Sequence, residues 1–464
     1  MNTLNRLSAN LEKVLAAGKE TRSFLNEIID AESLVETDVF TAGQQTADGA
    51  EGLGEGVVTG YASVNGRPVC LFAQNRDVMG GSFSSAQARK IAKMMDMAVK
   101  TGSPFLSVID SAGARLDEGT AVLEGYAGLI ASSVRMKGIV PHIAVIKGAC
   151  VGMMADFAAT ADFVIVDSEK GYISQKSPAV LAAEEKLSAK AEKLTGAQAM
   201  SKSGLVDLTY DSPTDLKAKI SALFELYAGA DMPSDDANRI SDRLNSDRSV
   251  DALIEALCDN GRAVVLGGES CIVTALAKVN GYSVGIIASN PDKADGKLCK
   301  GGIEKATAFV KKLDMLGLPL ITLVNAKGIK SNLDSEVKGF AYKAAALMSA
   351  IALSDIDKIA VITGNAIGYA YSALCSKAIG FDYTVAFADA SIAPVSAETA
   401  VNFLDDKALA SAKDPVKARE KLIAGYTERE GNPFITAKDG FIDNIIEPAT
   451  LRPYIASVLN MLVG

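Results

Sequence analysis

The sequence predicts an α/β protein made of two tandem domains that are diverged copies of one unit. Three observations carry this. The chain has 464 residues, 48% of them hydrophobic, enough for two cores of roughly 200 residues each. Several blocks recur in one order at a nearly constant spacing, and in each half apolar strand patterns alternate with helical ones, the signature of helices packed over a sheet.

Taken in order, Met1 to about Gly56 reads as an N-terminal helical extension and an approach loop. The run YASVNGRPVCLFAQN from Tyr61 predicts a hairpin turning at Asn65-Gly66, and LAKVNGYSVGIIASN from Leu276 predicts its copy at Asn280-Gly281, 215 residues later. Asn-Gly between two such runs is the strongest short-range hairpin signal. A helical pattern follows in each copy, Ala86 to Thr101 and Ile303 to Leu316, closed at the C-cap by Gly102 and Gly317, glycine being the residue that adopts the left-handed cap. Next, GSPFLSVIDSAGAR from Gly102 matches GLPLITLVNAKGIK from Gly317, each an apolar strand running into a glycine-bearing turn. IAVIKGACVGMMA from Ile143 matches IAVITGNAIGYAY from Ile359, now 216 residues apart, so one residue is inserted between the last two blocks. The polar segment from Asp215 to about Arg262 is the connector, with a helix or two that begin the second half. The boundary is placed to give domains of residues 1–235 and 236–464.

Composition narrows the function. A formal net charge of -9, with no basic stripe interleaved with aromatics, argues against a nucleic-acid partner. The first twenty residues lack the apolar centre of a secretory signal, so a cytoplasmic location is expected. The charge-free stretch from Ile359 to Ser376 approaches membrane-spanning length but is rich in glycine, asparagine and hydroxyl residues, and it reads as a buried strand, a turn and a buried helix. The six cysteines lie far apart with no C-x-x-C pair, and His142 is the single histidine. Neither a zinc site nor a disulfide framework is expected, and all six thiols read as reduced, buried small hydrophobes. His142, at the entry to a strand, reads as structural.

There is no G-x-S-x-G elbow and no phosphate-binding G-x-x-x-x-G-K-[ST] loop, so the common nucleophilic and nucleotide-hydrolysing designs have little to work with. Backbone chemistry recurs instead. In each half one apolar strand ends in a turn (Ala112-Gly113-Ala114; Ala326-Lys327-Gly328), and a second ends in G-x-x-x-G before a helical pattern: Gly148 to Gly152, Gly364 to Gly368. Glycines bring peptide N–H groups close to a ligand and the helix adds its positive end. Two such N–H groups aimed at one point form an oxyanion hole. The same glycines would also serve simply to let helix pack on strand. Their placement after the same strand in both halves favours the hole.

At these residues the chain resembles the carboxyltransferase subunits of biotin-dependent acyl-CoA carboxylases, such as propionyl-CoA carboxylase β subunits, and of related decarboxylases. The likeness runs from about Gly52 to Leu462. It rests on VMGGSFS (Val78 to Ser84), DSAGARLDEG (Asp110 to Gly119), GACVG (Gly148 to Gly152), GLPLITLV, GNAIGYAY, SAETAVN (Ser396 to Asn402) and NPF…GFIDNIIEPATLR (Asn432 to Arg452). The resemblance implies two tandem crotonase-like (ClpP/crotonase) domains from an internal duplication. The first would bind acyl-CoA and the second carboxybiotin, with subunits paired head to tail in a homo-oligomer, commonly a hexamer built as a trimer of dimers. It implies that carboxybiotin releases CO2, that the ureide anion removes the α proton of the acyl-CoA, and that the enolate attacks CO2. One hole would hold the thioester oxygen on the N–H groups of Gly152 and Met153, with Gly113-Ala114 contributing. The other would hold the biotin carbonyl on Tyr369 and Ala370. Gly148, Gly364, Gly368 and Ser372 would lie against the cofactor or acyl group, Ser372 influencing chain length.

The chain departs from the family pattern at Met153 and Tyr369, which replace glycines and add bulk. It departs also at Ala112, at Asn325-Ala326-Lys327-Gly328-Ile329 in place of D-x-P-G-F, and at Asp207 in place of a histidine. No Met-Lys-Met biotinylation motif is present, so a separate biotin carboxyl carrier protein is the expected partner, with a biotin carboxylase or a membrane decarboxylase subunit beside it. The readings are therefore a carboxyltransferase for a small acyl-CoA of the propionyl/methylmalonyl or acetyl/malonyl type, the same subunit in a sodium-pumping decarboxylase, and a catalytically weakened scaffold subunit.

Overall fold

A computed structural model describes residues 3–42, 53–186, 191–201, 204–227 and 231–464. The chain divides into two compact units, Met1–Glu225 and Leu226–Gly464.

Unit 1 is built on an eight-stranded sheet: β1 (Val35–Thr37), β2 (Val57–Val64), β3 (Arg67–Gln74), β4 (Phe105–Ser111), β5 (His142–Val151), β6 (Phe163–Asp167), β7 (Tyr172–Ser174) and β8 (Leu208–Tyr210). The order is β1-β2-β3-β4-β5-β6-β8, with β7 on the far end of β5. The first three strands are antiparallel and the rest parallel. Unit 2 repeats the plan with β9 (Ala263–Leu266), β10 (Ile272–Val279), β11 (Tyr282–Ser289), β12 (Leu298–Cys299), β13 (Leu320–Ala326), β14 (Ile329–Lys330), β15 (Lys358–Ile367), β16 (Tyr383–Phe387), β17 (Ser391–Ala393) and β18 (Asn444–Ile446). Its order is β18-β16-β15-β13-β11-β10-β9, with β17 on β15 and β12 paired to β14. The same strand order, with the odd short strand at the same place, is the tertiary form of the sequence repeat.

Both expected hairpins form. Asn65 and Gly66 have φ of 50° and 76°, and Asn280 and Gly281 have 52° and 81°, the pair of positive angles that a two-residue turn matched to strand twist requires. Beneath each turn a carboxylate takes both free N–H groups: Asp30 accepts from Asn65 (2.9 Å) and Gly66 (2.8 Å), and Asp259 from Asn280 and Gly281 (2.8 Å each). These bonds hold the Asp30 carboxyl well below the usual carboxylate range. The helices Ser85–Thr101 and Lys300–Leu316 end at Gly102 and Gly317, both left-handed.

The parallel strands are covered on both faces, which is why they read as continuous apolar runs; β4 is buried at every residue. On unit 1 the Ser85–Thr101 and Thr120–Met136 helices supply Ile91, Met94, Tyr126 and Leu129 to the core, with Phe83 stacked on Tyr126 at 4.1 Å between centroids. His142 is in this core. Its two ring nitrogens meet Ser107 Oγ (2.7 Å) and Ser133 Oγ (3.1 Å), and burial pushes its pKa down to about 3, so it is a neutral packing residue. Asp207, found where the family has a histidine, accepts a hydrogen bond from the Val164 N–H at 2.9 Å.

The N-terminal extension is helical as expected over Thr3–Ala16 and Lys19–Ile28, and β1 follows and pairs with β2. The part of the approach loop over 43–52 lies outside the described residues. In the connector, the Val250–Leu257 helix opens the second half behind its Ser249 cap. It is locked by Arg452, which is 1% exposed and donates to Asp236 O (2.8 Å), Leu257 O (2.7 Å) and Asp259 Oδ1 (2.7 Å). Ile359 to Ser376 is the buried strand, turn and short helix expected, and among the described residues no helix is long and apolar enough to cross a membrane.

One cysteine expectation is corrected. Cys271 and Cys299 are joined as a disulfide with Cα atoms 6.2 Å apart. The Lys300–Leu316 helix starts against the beginning of β10, where a Cβ on Gly302 would run into Cys271 Sγ, and this brings Cys299 to Cys271, a proximity that a separation of 28 residues does not announce. The other four thiols are free and buried.

Candidate active site

The central strands of both sheets carry the same irregularity. β4 and β5 run in register to Ile109↔Ile146 and resume at Ser111↔Cys150; β13 and β15 run to Val324↔Ile362 and resume at Ala326↔Ala366. The skip falls on Asp110 in one unit and Asn325 in the other, and their side chains replace the lost ladder bond. Asp110 Oδ1 accepts from the Ala149 N–H at 3.1 Å and Asn325 Oδ1 from the Asn365 N–H at 2.9 Å. Glycine is needed beside each. A Cβ on Gly148 would lie 2.5 Å from the Asp110 carboxylate, and one on Gly364 2.6 Å from the Asn325 amide. Gly148 and Gly364, expected against the cofactor, thus serve to seat these side chains in the sheet.

Past the skip, Gly152 (φ 66°, ψ −141°) and Gly368 (φ 53°, ψ −119°) turn the chain into the short helices Met153–Ala159 and Tyr369–Leu374. Only glycine adopts this backbone without strain. Each glycine N–H is engaged: Gly152 donates to Ser174 O and Gly368 to Ala393 O, both at 2.9 Å. The Gly152 N–H, expected as an oxyanion donor, is thus engaged by β7, which uses it to extend its pairing with β5. Just beyond, the N–H groups of Met153 and Met154 in unit 1 and of Tyr369, Ala370 and Tyr371 in unit 2 have no acceptor among the described residues. First-turn N–H groups have no intrahelical partner.

The turns after β4 and β13 approach from the other side. Phe83 N–H donates to Gly113 O and Arg115 N–H to Phe83 O, both at 2.8 Å, so the Ala114 N–H points away from that bridge and has no acceptor among the described residues. Gly113 gives its own N–H to Ser111 Oγ at 3.3 Å. In unit 2, Leu298 donates to Gly328 O at 2.8 Å, and Ile329 stands in the place of Ala114. A cleft of about 490 Å³ opens there, lined by Lys297, Lys327, Gly328, Ile329, Gly368 and Tyr369 and by Pro394, Val395, Ser396, Glu398 and Thr399. A mixed apolar and polar cleft of this size suits a compact ring system that needs a few fixed polar contacts.

Tyr369 lines this cleft, and its hydroxyl donates to Ala344 O at 2.7 Å. Burial pushes its pKa up, so the phenol stays protonated and supplies no base. Met153 packs against the core of unit 1. Ser372, expected near the acyl group, is exposed and does not line the cleft. The remaining motif residues brace the turns. Arg115 forms a fully buried ion pair with Glu55, and Glu118 accepts from the Ser85 N–H at 2.7 Å at the start of its helix. Sequence reasoning missed Met154 and Lys297 and named Lys327 and Ile329 only as part of the turn; carrying Ala114, Ser82 and Ala112 forward by the repeat spacing points to Ile329, Lys297 and Lys327.

Known proteins share this plan over the whole chain. Residues 13–464 match the carboxyl transferase domain model. The chain is 32% identical to the methylmalonyl-CoA carboxyltransferase 12S subunit of Propionibacterium freudenreichii subsp. shermanii, over 97% of this chain and 90% of that protein. It is also 32% identical to the methylmalonyl-CoA decarboxylase subunit alpha of Propionigenium modestum, over 98% and 92%. The crystal structure of a transcarboxylase 12S hexamer with methylmalonyl-coenzyme A and methylmalonic acid bound superposes with a TM-score of 0.92 at 29% identity, covering 99% of this chain and 95% of that one. Each unit thus has the crotonase fold, and a duplicated sheet ending twice in the same glycine turn is what a match of this length requires: the chain belongs to the carboxyl transferase domain family.

Proposed function

We propose that this protein is a biotin-dependent carboxyltransferase that moves a carboxyl group between carboxybiotin and a small acyl-CoA of the propionyl/methylmalonyl class. The observation that carries the reading is the pair of equivalent turns, each presenting backbone N–H groups that have no acceptor among the described residues. Unit 1 holds the acyl-CoA, its thioester oxygen on the N–H groups of Met153, with Ala114 and Met154 beside it. Unit 2 holds the biotin carbonyl on Tyr369 and Ala370, with Ile329 beside them. When bound, carboxybiotin supplies the carboxyl group and, after losing it, the base. The protein's contribution is then to stabilise negative oxygen with preorganised donors, worth about 10²–10³ in rate per donor.

A separate biotin carrier protein delivers the cofactor, and copies of the chain assemble into an oligomer as in the 12S relative. The likeness to a decarboxylase alpha subunit supports a second direction of use, in which a membrane partner consumes the carboxyl group. The test is acyl-CoA-dependent exchange of carboxyl between methylmalonyl-CoA or malonyl-CoA and free biotin or biocytin. Exchange is expected, fastest with methylmalonyl-CoA. No exchange together with no binding of any CoA ester would replace the enzyme reading with a scaffold subunit.

A further inference from the structure

The two units are built alike but charged differently. Phe83 bridges Ala114 as Leu298 bridges Ile329, so Ser82 corresponds to Lys297 and Ala112 to Lys327. Both lysines line the cleft that contains Tyr369, both are exposed, and neither forms an ion pair among the described residues. The Lys327 N–H donates to Gly296 O at 2.8 Å, which fixes where its side chain starts. Facing them across the cleft is Glu398. Its carboxyl is held below the ordinary range first by its own backbone N–H, then by the Ser396 side chain, with the Lys327 ammonium adding to the effect. Two ammonium groups against one carboxylate leave the cleft net positive, while the unit 1 positions that match these three residues, Ser82, Ala112 and Ala179, carry no charge, and Lys176, which matches Val395, is paired with Glu184 at 2.6 Å.

We propose that Lys297 and Lys327 make the second unit's cleft selective for an anionic occupant, the N-carboxylated form of the biotin ring system over the neutral ring. The inference rests on the carboxyltransferase reading and deepens it. The charged form is drawn in and retained, and the discharged ring, which has lost its negative charge once protonated, is released. Directionality of carrier exchange then comes from charge, since both forms share the ring system and the N–H donors that meet its carbonyl.

The test measures the two forms separately on the full-length protein: freshly prepared N-carboxybiotin as donor to propionyl-CoA, and biocytin as acceptor from methylmalonyl-CoA. In Lys327→Met and Lys297→Met, KM for N-carboxybiotin is expected to rise about fivefold each, the scale of a solvent-exposed charge pair, with KM for biocytin within about twofold. Lys327→Arg restores the wild-type value. In the wild type, KM for N-carboxybiotin rises with ionic strength, and that dependence flattens in the double variant. Parallel movement of both KM values, or movement of neither, overturns the charge selectivity while leaving the carboxyltransferase reading in place. A wild type that catalyses neither direction overturns both.

Discussion

Replacing Gly368 by alanine separates a role in the site from a role in the fold, because the chain contains a control with the same backbone sign. Gly368 has φ 53° and ψ −119°, a Cβ added there would lie 2.9 Å from the Pro394 carbonyl oxygen, and neither partner is a flexible side chain. Gly317 also has positive φ, 64°, but a Cβ there meets nothing within 4 Å. Gly317→Ala therefore carries only the left-handed strain of an L-residue, about 1–2 kcal/mol. Gly368→Ala carries the strain of a glycine-only region, about 1–3 kcal/mol, and must also shift the turn by a few tenths of an ångström. That shift moves the Tyr369 and Ala370 N–H groups, and losing one aligned donor lowers kcat by about 10²–10³. The assays are the urea-unfolding midpoint and carboxyl exchange with biocytin. The expected pattern is comparable destabilisation in both variants, with exchange falling at least about a hundredfold in Gly368→Ala and staying within about twofold in Gly317→Ala. Normal exchange in a folded Gly368→Ala protein would refute the assignment of the turn to the site.

Arg115→Ala leaves the Glu55 carboxylate buried without its partner, the side chains being 4% and 0% exposed, and is expected to destabilise unit 1 by roughly 3–5 kcal/mol, read from the urea midpoint. His142, with a folded pKa of about 3 against an ordinary 6.5, takes up its proton more readily in the unfolded chain. Stability should therefore be level above pH 6.5 and fall as pH drops from there toward 3, with this group's share of the slope at most about 1.4 kcal/mol per pH unit; His142→Gln should lose that share. Tyr369→Phe removes the hydroxyl bond to Ala344 and keeps the backbone N–H. A stability loss of about 0.5–1.5 kcal/mol with exchange retained is expected, and loss of exchange would show that the phenol itself takes part.

The sites of greatest sequence legibility were those where one residue states a backbone requirement. Asn65-Gly66 and Asn280-Gly281 announce their turns, and Gly102 and Gly317 their helix ends, because few residues adopt positive φ at low cost. The repeat spacing then extended each local reading to the other half. Gly152 shows where this stops. Its conformation was legible, but its N–H is taken by Ser174, a residue on a three-residue strand that no local pattern sets apart. Of the donors the motif suggested, Met153, Tyr369 and Ala370 keep N–H groups without an acceptor among the described residues, and Gly152 does not. Gly148 and Gly364 were legible as close approaches, and the group that approaches each is the side chain of Asp110 or Asn325.

By itself, then, the sequence determined that the chain is a doubled α/β unit, where its hairpins and long helices turn and end, and where glycines bend the backbone sharply after the same strand in both halves. Only the tertiary structure decided which peptide N–H groups remain unpaired, that Asp30 and Asp259 sit beneath the two hairpins, that Cys271 meets Cys299, and that Lys297, Lys327 and Glu398 share one cleft. The reason is physical. A turn is set by the torsion preferences of adjacent residues, whereas a free donor or a local field is set by what distant segments bring within hydrogen-bonding or Coulomb range once the sheet has formed.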